Sequence, residues 1–293
     1  MGHKNKKTLI KQVDEELNKQ FAIGKGRSKH ADKGRPGGTH GKIYSAETLN
    51  TYKRNACYFV KWCKERYGCK TLKDCKKHAP EWIQEQDQRG LSAWTLKTRA
   101  AALAKLYGVK ASELGIVTPP RRRSDIKRSR YQTKSDAHFS EQRNYKVVTF
   151  GRCTGLRRRE MERIKGDALF KWEGKYYVFV NEGTKGGRVR HSPIVGSAEE
   201  VALVVSMLQD AGDGKVFDYI PKGMDEHANR KIYANRVYQM NKRPLFTLSN
   251  KQKYFCRGDL RGAVYDRRAM LIASEALGHG RISIIASNYA PDP

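Results

Sequence analysis

The sequence predicts a mainly α-helical protein with a small antiparallel β-sheet, built as two domains. Three observations carry that expectation. Apolar residues recur at helical spacing through much of the chain, two strand-rich segments flank a glycine turn in the second half, and a proline-broken basic run separates the two patterned regions. A length of 293 residues suits one large or two ordinary domains.

Residues 1–43 are rich in Lys, Gly and His and offer little that packs, so they read as a flexible basic arm, solvated when free and able to gain order on a phosphate backbone. A helical domain is predicted over 44–117. Ser45 and Glu47 make a helix start, and Leu49, Tyr52, Ala56, Phe59, Val60 and Cys63 follow as one apolar stripe. Further helices are expected over 80–89, with Pro80 in the first turn, and over 93–106. Lys53, Arg54, Lys61, Lys64, Arg66, Lys97 and Arg99 lie off the stripes, as a solvated face or a DNA-facing one.

A basic linker is expected over 118–136. Pro119 and Pro120 stop the preceding helix, and within 118–134 Arg121, Arg122, Arg123, Lys127, Arg128, Arg130 and Lys134 stand against the single acid Asp125, a run that cannot pack but can follow a DNA backbone. The second domain, over 137–293, is mixed. Helices are expected over 140–152, within RRREMERIK, and over 198–210, 225–241 and 261–276. KYYVFVN (175–181) and RVRHSPIV (188–195) read as a β-hairpin.

Composition narrows the function. Lys and Arg number 59 against 30 Asp and Glu, a formal net charge of +29, whose self-repulsion is offset most naturally by a polyanion, nucleic acid first. The longest mostly apolar run, 201–208, falls well short of the roughly 20 residues of a spanning helix, and the charged N-terminus lacks the apolar stretch of a signal peptide. An intracellular, soluble protein is the expectation. Cys57, Cys63, Cys69 and Cys75 recur every six residues, but on one helix that step turns each side chain by about 120° from the last. With no CxxC pair in the chain, reduced thiols are expected rather than a metal site.

One constellation stands above composition. Four strings occur in order over about 145–290: RCTGLRRREMERI with Arg157 and Glu160, NEGTKGGRVRHSPIV with Lys185, Arg188, Arg190 and Pro193, CRGDLRGAVYD with Arg261, and LGHGRISIIASNYA with His279 and Tyr289. Together they resemble the signature boxes of the tyrosine recombinase, or phage-type integrase, family. The resemblance implies a C-shaped DNA clamp made of a helical core-binding domain and an α+β catalytic domain.

It also implies a chemistry that suits these residue types. Breaking a DNA strand without a metal needs a nucleophile, charge neutralisation at the phosphate, and a proton for the departing 5′ oxygen. By resemblance, Arg157 and Arg261 would clamp the scissile phosphate, since a guanidinium fork matches two phosphate oxygens. Lys185 would be the general acid, His279 would assist at a phosphate oxygen, and Glu160 would hold Arg157, although an ordinary i,i+3 ion pair accounts for the same spacing. Arg188 and Arg190 would contact DNA. Tyr289, with Ile282 and Ile285 stacked below it at i−7 and i−4, would attack phosphorus and form a 3′-phosphotyrosyl bond. One phosphoester replaces another, so no cofactor is implied, and the chain has no GxxxxGK[ST] loop.

The match departs from the family at one box position and in two spacings. Three residues before Arg261, where the family has His, stands Gly258, and the adjacent Arg257 cannot act as a base near neutral pH. The stretch from Arg261 to Leu277 is also shorter than the family's pattern, and His279 to Tyr289 is ten residues where the family commonly has nine. The function the resemblance implies is a site-specific recombinase that integrates or excises a phage or other mobile element, cytoplasmic and nucleoid-associated in a bacterial host. It would act as a homotetramer on duplex DNA with specific sites, be monomeric or weakly associated when free, and be helped by an accessory DNA-bending protein. The alternatives are a non-catalytic DNA-binding protein on a degenerate recombinase scaffold and an RNA-binding basic protein.

Overall fold

The computed structural model describes residues 7–22, 29–36, 38–39, 41–122, 125, 139–185 and 187–289. The chain divides into two compact units, Met1–Ile126 and Lys127–Pro293.

The first unit is helical: α1 (Leu9–Lys19), α2 (Lys29–Lys33), α3 (Ala46–Tyr67), α4 (Leu72–Lys76), α5 (Ala79–Gln88) and α6 (Ala93–Leu106). Ser45 caps α3 by accepting from the Thr48 amide, and Leu49, Ala56, Phe59, Val60 and Cys63 face the core as their spacing predicts. The expectation of a flexible arm over 1–43 is corrected here. Leu9, Val13 and Leu17, spaced by four, form one stripe of α1 that is buried against the α3 residues, and Ile43 joins the same core. Backbone bonds from Ala22 to Ile43 (2.9 Å) and from Ile43 to Gln20 (2.7 Å) tie the two ends of that segment together.

The cysteine periodicity also has a different outcome from the one-helix argument. α3 ends at Tyr67, so Cys63, Cys69 and Cys75 lie on α3, on the following loop and on α4, and all three enter one core cluster. Among the described residues no group of three His, Cys, Asp or Glu is arranged to hold a metal ion. No described helix is long and apolar enough to cross a membrane.

The second unit contains α7 (Tyr145–Thr154), α8 (Arg158–Met161), β1 (Leu169–Trp172), β2 (Lys175–Val180), β3 (Arg190–Pro193), α9 (Ala198–Ala211), α10 (Glu226–Asn241), β4 (Lys253–Phe255), β5 (Val264–Asp266), α11 (Arg267–Ala276) and α12 (Ser283–Asn288). The predicted hairpin is β2 with β3, paired from Tyr177 opposite Pro193 to Val180 opposite Arg190, and β1 adds a third antiparallel strand. The helix expected over 261–276 begins only at Arg267. Val264 and Tyr265 pair instead with Phe255 and Tyr254, and Asp266 caps α11 by accepting from the Arg268 amide. α10 packs against both α7 and α11 and buries Asn229, Arg230, Tyr233, Ala234, Val237 and Tyr238, so a helix of mostly polar sequence runs through the middle of the unit.

Candidate active site

The site is built on the turn between α7 and α8. Gly155 takes a left-handed conformation (φ 63°), and a Cβ there would collide with the Tyr233 ring. That close approach lets the chain reverse and brings Arg157 to the start of α8. Glu160, fully buried one turn later, accepts from the Arg157 amide (2.7 Å) and from Arg157 Nη1 (2.9 Å).

Glu160 has a second cation. Strand alternation along β3 points Arg190 and Ser192 inward, and Arg190 donates to both Glu160 oxygens (3.0 and 2.7 Å) and to the Ala276 carbonyl (2.9 Å). Burial alone would raise the Glu160 carboxyl, but the hydrogen bonds and charges of Arg190 and Arg157 outweigh it and hold the pKa below the usual carboxylate value. Arg190, expected to contact DNA, is therefore a buried brace, because it lies on the inward face of its strand. Ser192 continues the brace, donating to the Thr154 carbonyl (2.7 Å) and sharing a hydrogen bond with Tyr233 Oη (2.9 Å).

The second arginine of the pocket is Arg230, which the motif reading did not single out. It is 1% exposed on α10 and donates to the Gly155 carbonyl, to the Leu277 carbonyl (3.0 Å) and to His279 Nε2 (3.4 Å). It thus links the turn that carries Arg157 to the loop that carries His279. Burial, followed by the repulsion of Arg157, lowers its pKa, while Tyr289 and Glu160 act in the opposite sense. A signal for it was present in the chain. His227-Ala228-Asn229-Arg230 has the His-x-x-Arg form that is missing around Arg261.

His279 follows α11 on a tight turn. Burial, then the charges of Arg230, Arg157, Arg190 and Lys185, push its pKa down to about 3, so the ring is neutral near pH 7. Arginine can only donate, so Nε2 accepts and the proton sits on Nδ1, a tautomer assigned from its partner. Tyr289 closes the pocket. Its ring centroid lies 5.6 Å from the His279 ring and 5.9 Å from the Arg230 guanidinium carbon. Ile285 is fully buried beneath it and Ile282 packs on the same cluster, as the spacing predicts; Tyr289 itself is only 3% exposed.

Two further cations stand at the mouth. Lys185 is exposed on the β2–β3 turn, whose Gly183 (φ 66°) passes so close to the Arg159 carbonyl that no side chain fits there. The Arg188 guanidinium lies against Gly280, next to His279. The pocket therefore gathers Arg157, Arg230, Lys185 and Arg188 around one neutral histidine and one phenol, with Glu160 already occupied by Arg157 and Arg190. Preorganised cations thus stand beside a buried phenol, an arrangement able to receive an anion.

The remaining expected residues lie elsewhere. Arg257, Gly258 and Arg261 are exposed at the tip of the β4–β5 hairpin, and their expected place in the site is corrected: the hydrophobic faces of Tyr254, Cys256 and Tyr265 turn inward and carry the tip out toward solvent. Arg121 and Arg122 are exposed after the last helix of the first unit, while Arg123, Lys127, Arg128 and Arg130 lie outside the described residues.

No family model matches this chain, and no curated protein matches it. Solved structures do. The integrase of transposon Tn1549 in complex with transposon right end DNA is 13% identical, with 98% of this chain and 96% of that chain covered and a TM-score of 0.50. The XerH site-specific recombinase bound to difH substrate in a pre-cleavage complex is 16% identical, covering 97% of this chain and 93% of that chain, with a TM-score of 0.51. The post-cleavage complex of XerH on palindromic difH gives 16% identity, 98% and 87% coverage, and a TM-score of 0.51. At these identities the likeness shows the fold, and this chain has the fold of those recombinases.

Proposed function

We propose that this protein is a site-specific tyrosine recombinase that cuts and rejoins duplex DNA through a 3′-phosphotyrosyl intermediate. The observation that carries the reading is the meeting of Tyr289, Arg230 and His279 beside Arg157, side chains from three segments distant in sequence, in one cationic pocket.

In this reading Arg157 and Arg230 hold the non-bridging oxygens of the scissile phosphate, and the charge that builds on them in the pentavalent transition state meets donors already in place. His279 donates from Nδ1 to the same phosphate. The Tyr289 oxygen forms a bond to phosphorus as the bond to the 5′ oxygen breaks. Lys185 gives its proton to that leaving oxygen, and His227, one helical turn before Arg230, takes the phenol proton. Glu160 and Arg190 touch no substrate and keep Arg157 in position. Strand exchange in two steps, by four subunits on two sites, completes an integration or excision reaction.

The alternative of a binding-only scaffold rested on Gly258, and the His227-x-x-Arg230 pattern removes that ground. A nicked suicide duplex carrying the recombination site tests the proposal: the wild type traps a covalent protein–DNA adduct and Tyr289→Phe traps none. Wild-type protein that retards DNA but never yields an adduct would overturn it.

A further inference from the structure

Between α10 and α11 the chain makes an excursion, 242–265, that takes no part in the pocket. It contains six Lys and Arg and one acid, Asp259. Arg243 is committed to the fold, donating to both oxygens of buried Asp266 (2.8 Å each). Lys242, Lys251, Lys253, Arg257 and Arg261 form no ion pair among the described residues.

The strand period sorts what remains. Tyr254, Cys256 and Tyr265 pack onto the core around Tyr238, whose ring meets Tyr265 edge-on at 5.8 Å. Lys253, Phe255 and Arg257 alternate with them and so share the other face, where Phe255 is 52% exposed. The tip is ordered by backbone bonds from Arg261 to Gly258 (3.0 Å), from Ala263 to Leu260 (3.1 Å) and from Cys256 to Ala263 (3.0 Å), which leave Arg257 and Arg261 exposed at its two ends. Among the described residues no side-chain hydrogen bond or ion pair engages Lys253, Arg257 or Arg261, the cations of this braced ribbon.

We infer that the outward face of the β4–β5 hairpin is an accessory contact to the sugar–phosphate backbone of duplex DNA. Lys251, Lys253, Arg257 and Arg261 meet phosphates, and Phe255 lies against the deoxyribose between them. Charge complementarity selects this occupant, because a second copy of the chain would bring the same cations to the face. The inference rests on the proposed DNA reaction and extends its footprint to a surface that reads no sequence.

The test is the salt dependence of duplex binding by the full chain, wild type against Lys251→Ala/Lys253→Ala/Arg257→Ala/Arg261→Ala. Each lost phosphate contact removes about 0.9 from the magnitude of the slope of log K against log salt, so a fall of about 3.6 is expected, with affinity weakened alike on specific and unrelated duplexes. Phe255→Trp, which keeps every charge, is expected to change its emission when duplex is added. A variant with wild-type slope and affinity overturns the inference while leaving the recombinase reading intact. So does loss of self-association in sedimentation with DNA binding unchanged, which would give the face to a second copy. Wild-type protein that binds no duplex at all sinks both readings.

Discussion

Arg230 and Arg261 sit in strings of similar appearance and have opposite surroundings. Arg230 is buried on α10, donates to two carbonyls and a histidine, and faces a tyrosine ring; Arg261 stands exposed at a hairpin tip. A guanidinium needs a dry, preorganised setting to act strongly on a phosphate, because water weakens the same charge many-fold. Burial, rather than resemblance of the flanking letters, distinguishes the two.

The contrast breaks most sharply in the rate of strand cleavage. Arg230→Lys keeps a charge but loses the planar fork, and is expected to slow adduct formation about 10²–10³-fold, with Arg261→Ala within a few-fold of wild type on the same suicide duplex. Equal effects would show that the two arginines had been told apart wrongly.

Glu160 sharpens the same comparison from the side of stability. Its carboxylate sits between Arg157 and Arg190, and Glu160→Gln leaves Arg190 buried without a counter-charge. A loss of about 3 kcal/mol in denaturant unfolding is expected, against a change near zero for Arg257→Gln at the exposed tip.

The smallest effect is in pH dependence. The His279 pKa is depressed from its ordinary value to about 3, so the unfolded chain takes up a proton that the native protein refuses. Its contribution is intact above about pH 6.5 and is lost as the pH falls toward 3. At pH 5 the loss is about 2 kcal/mol relative to pH 7, and His279→Ala is expected to flatten that part of the stability profile. A variant with the wild-type slope between pH 7 and 5 would show that His279 is not held neutral by this cage.

Much of the site was legible before any fold. Arg157 with Glu160, Lys185, His279 and Tyr289 are local strings whose spacing survives without knowledge of packing, and Ile282 and Ile285 beneath Tyr289 follow from helical period alone. Arg230 was harder to see because α10 is polar along most of its length, so no apolar stripe marked it as central. The short spacing from Arg261 to Leu277 pointed away from Arg261, and His227-x-x-Arg230 pointed toward its replacement. In the first unit, α1 was hidden by the lysines around Leu9, Val13 and Leu17.

Sequence by itself determined the class of fold, the order of the motifs and the packing of the segment that carries Tyr289, because periodicity and motif spacing are properties of neighbouring residues. Tertiary structure alone decided which cations line the pocket beside Tyr289. It turned Arg190 inward to brace Glu160, brought Arg230 between Gly155 and Leu277, and set Arg257 and Arg261 out on a ribbon. A cation's role depends on the dielectric and the partners around it, and those come from segments of chain that are distant until the core closes.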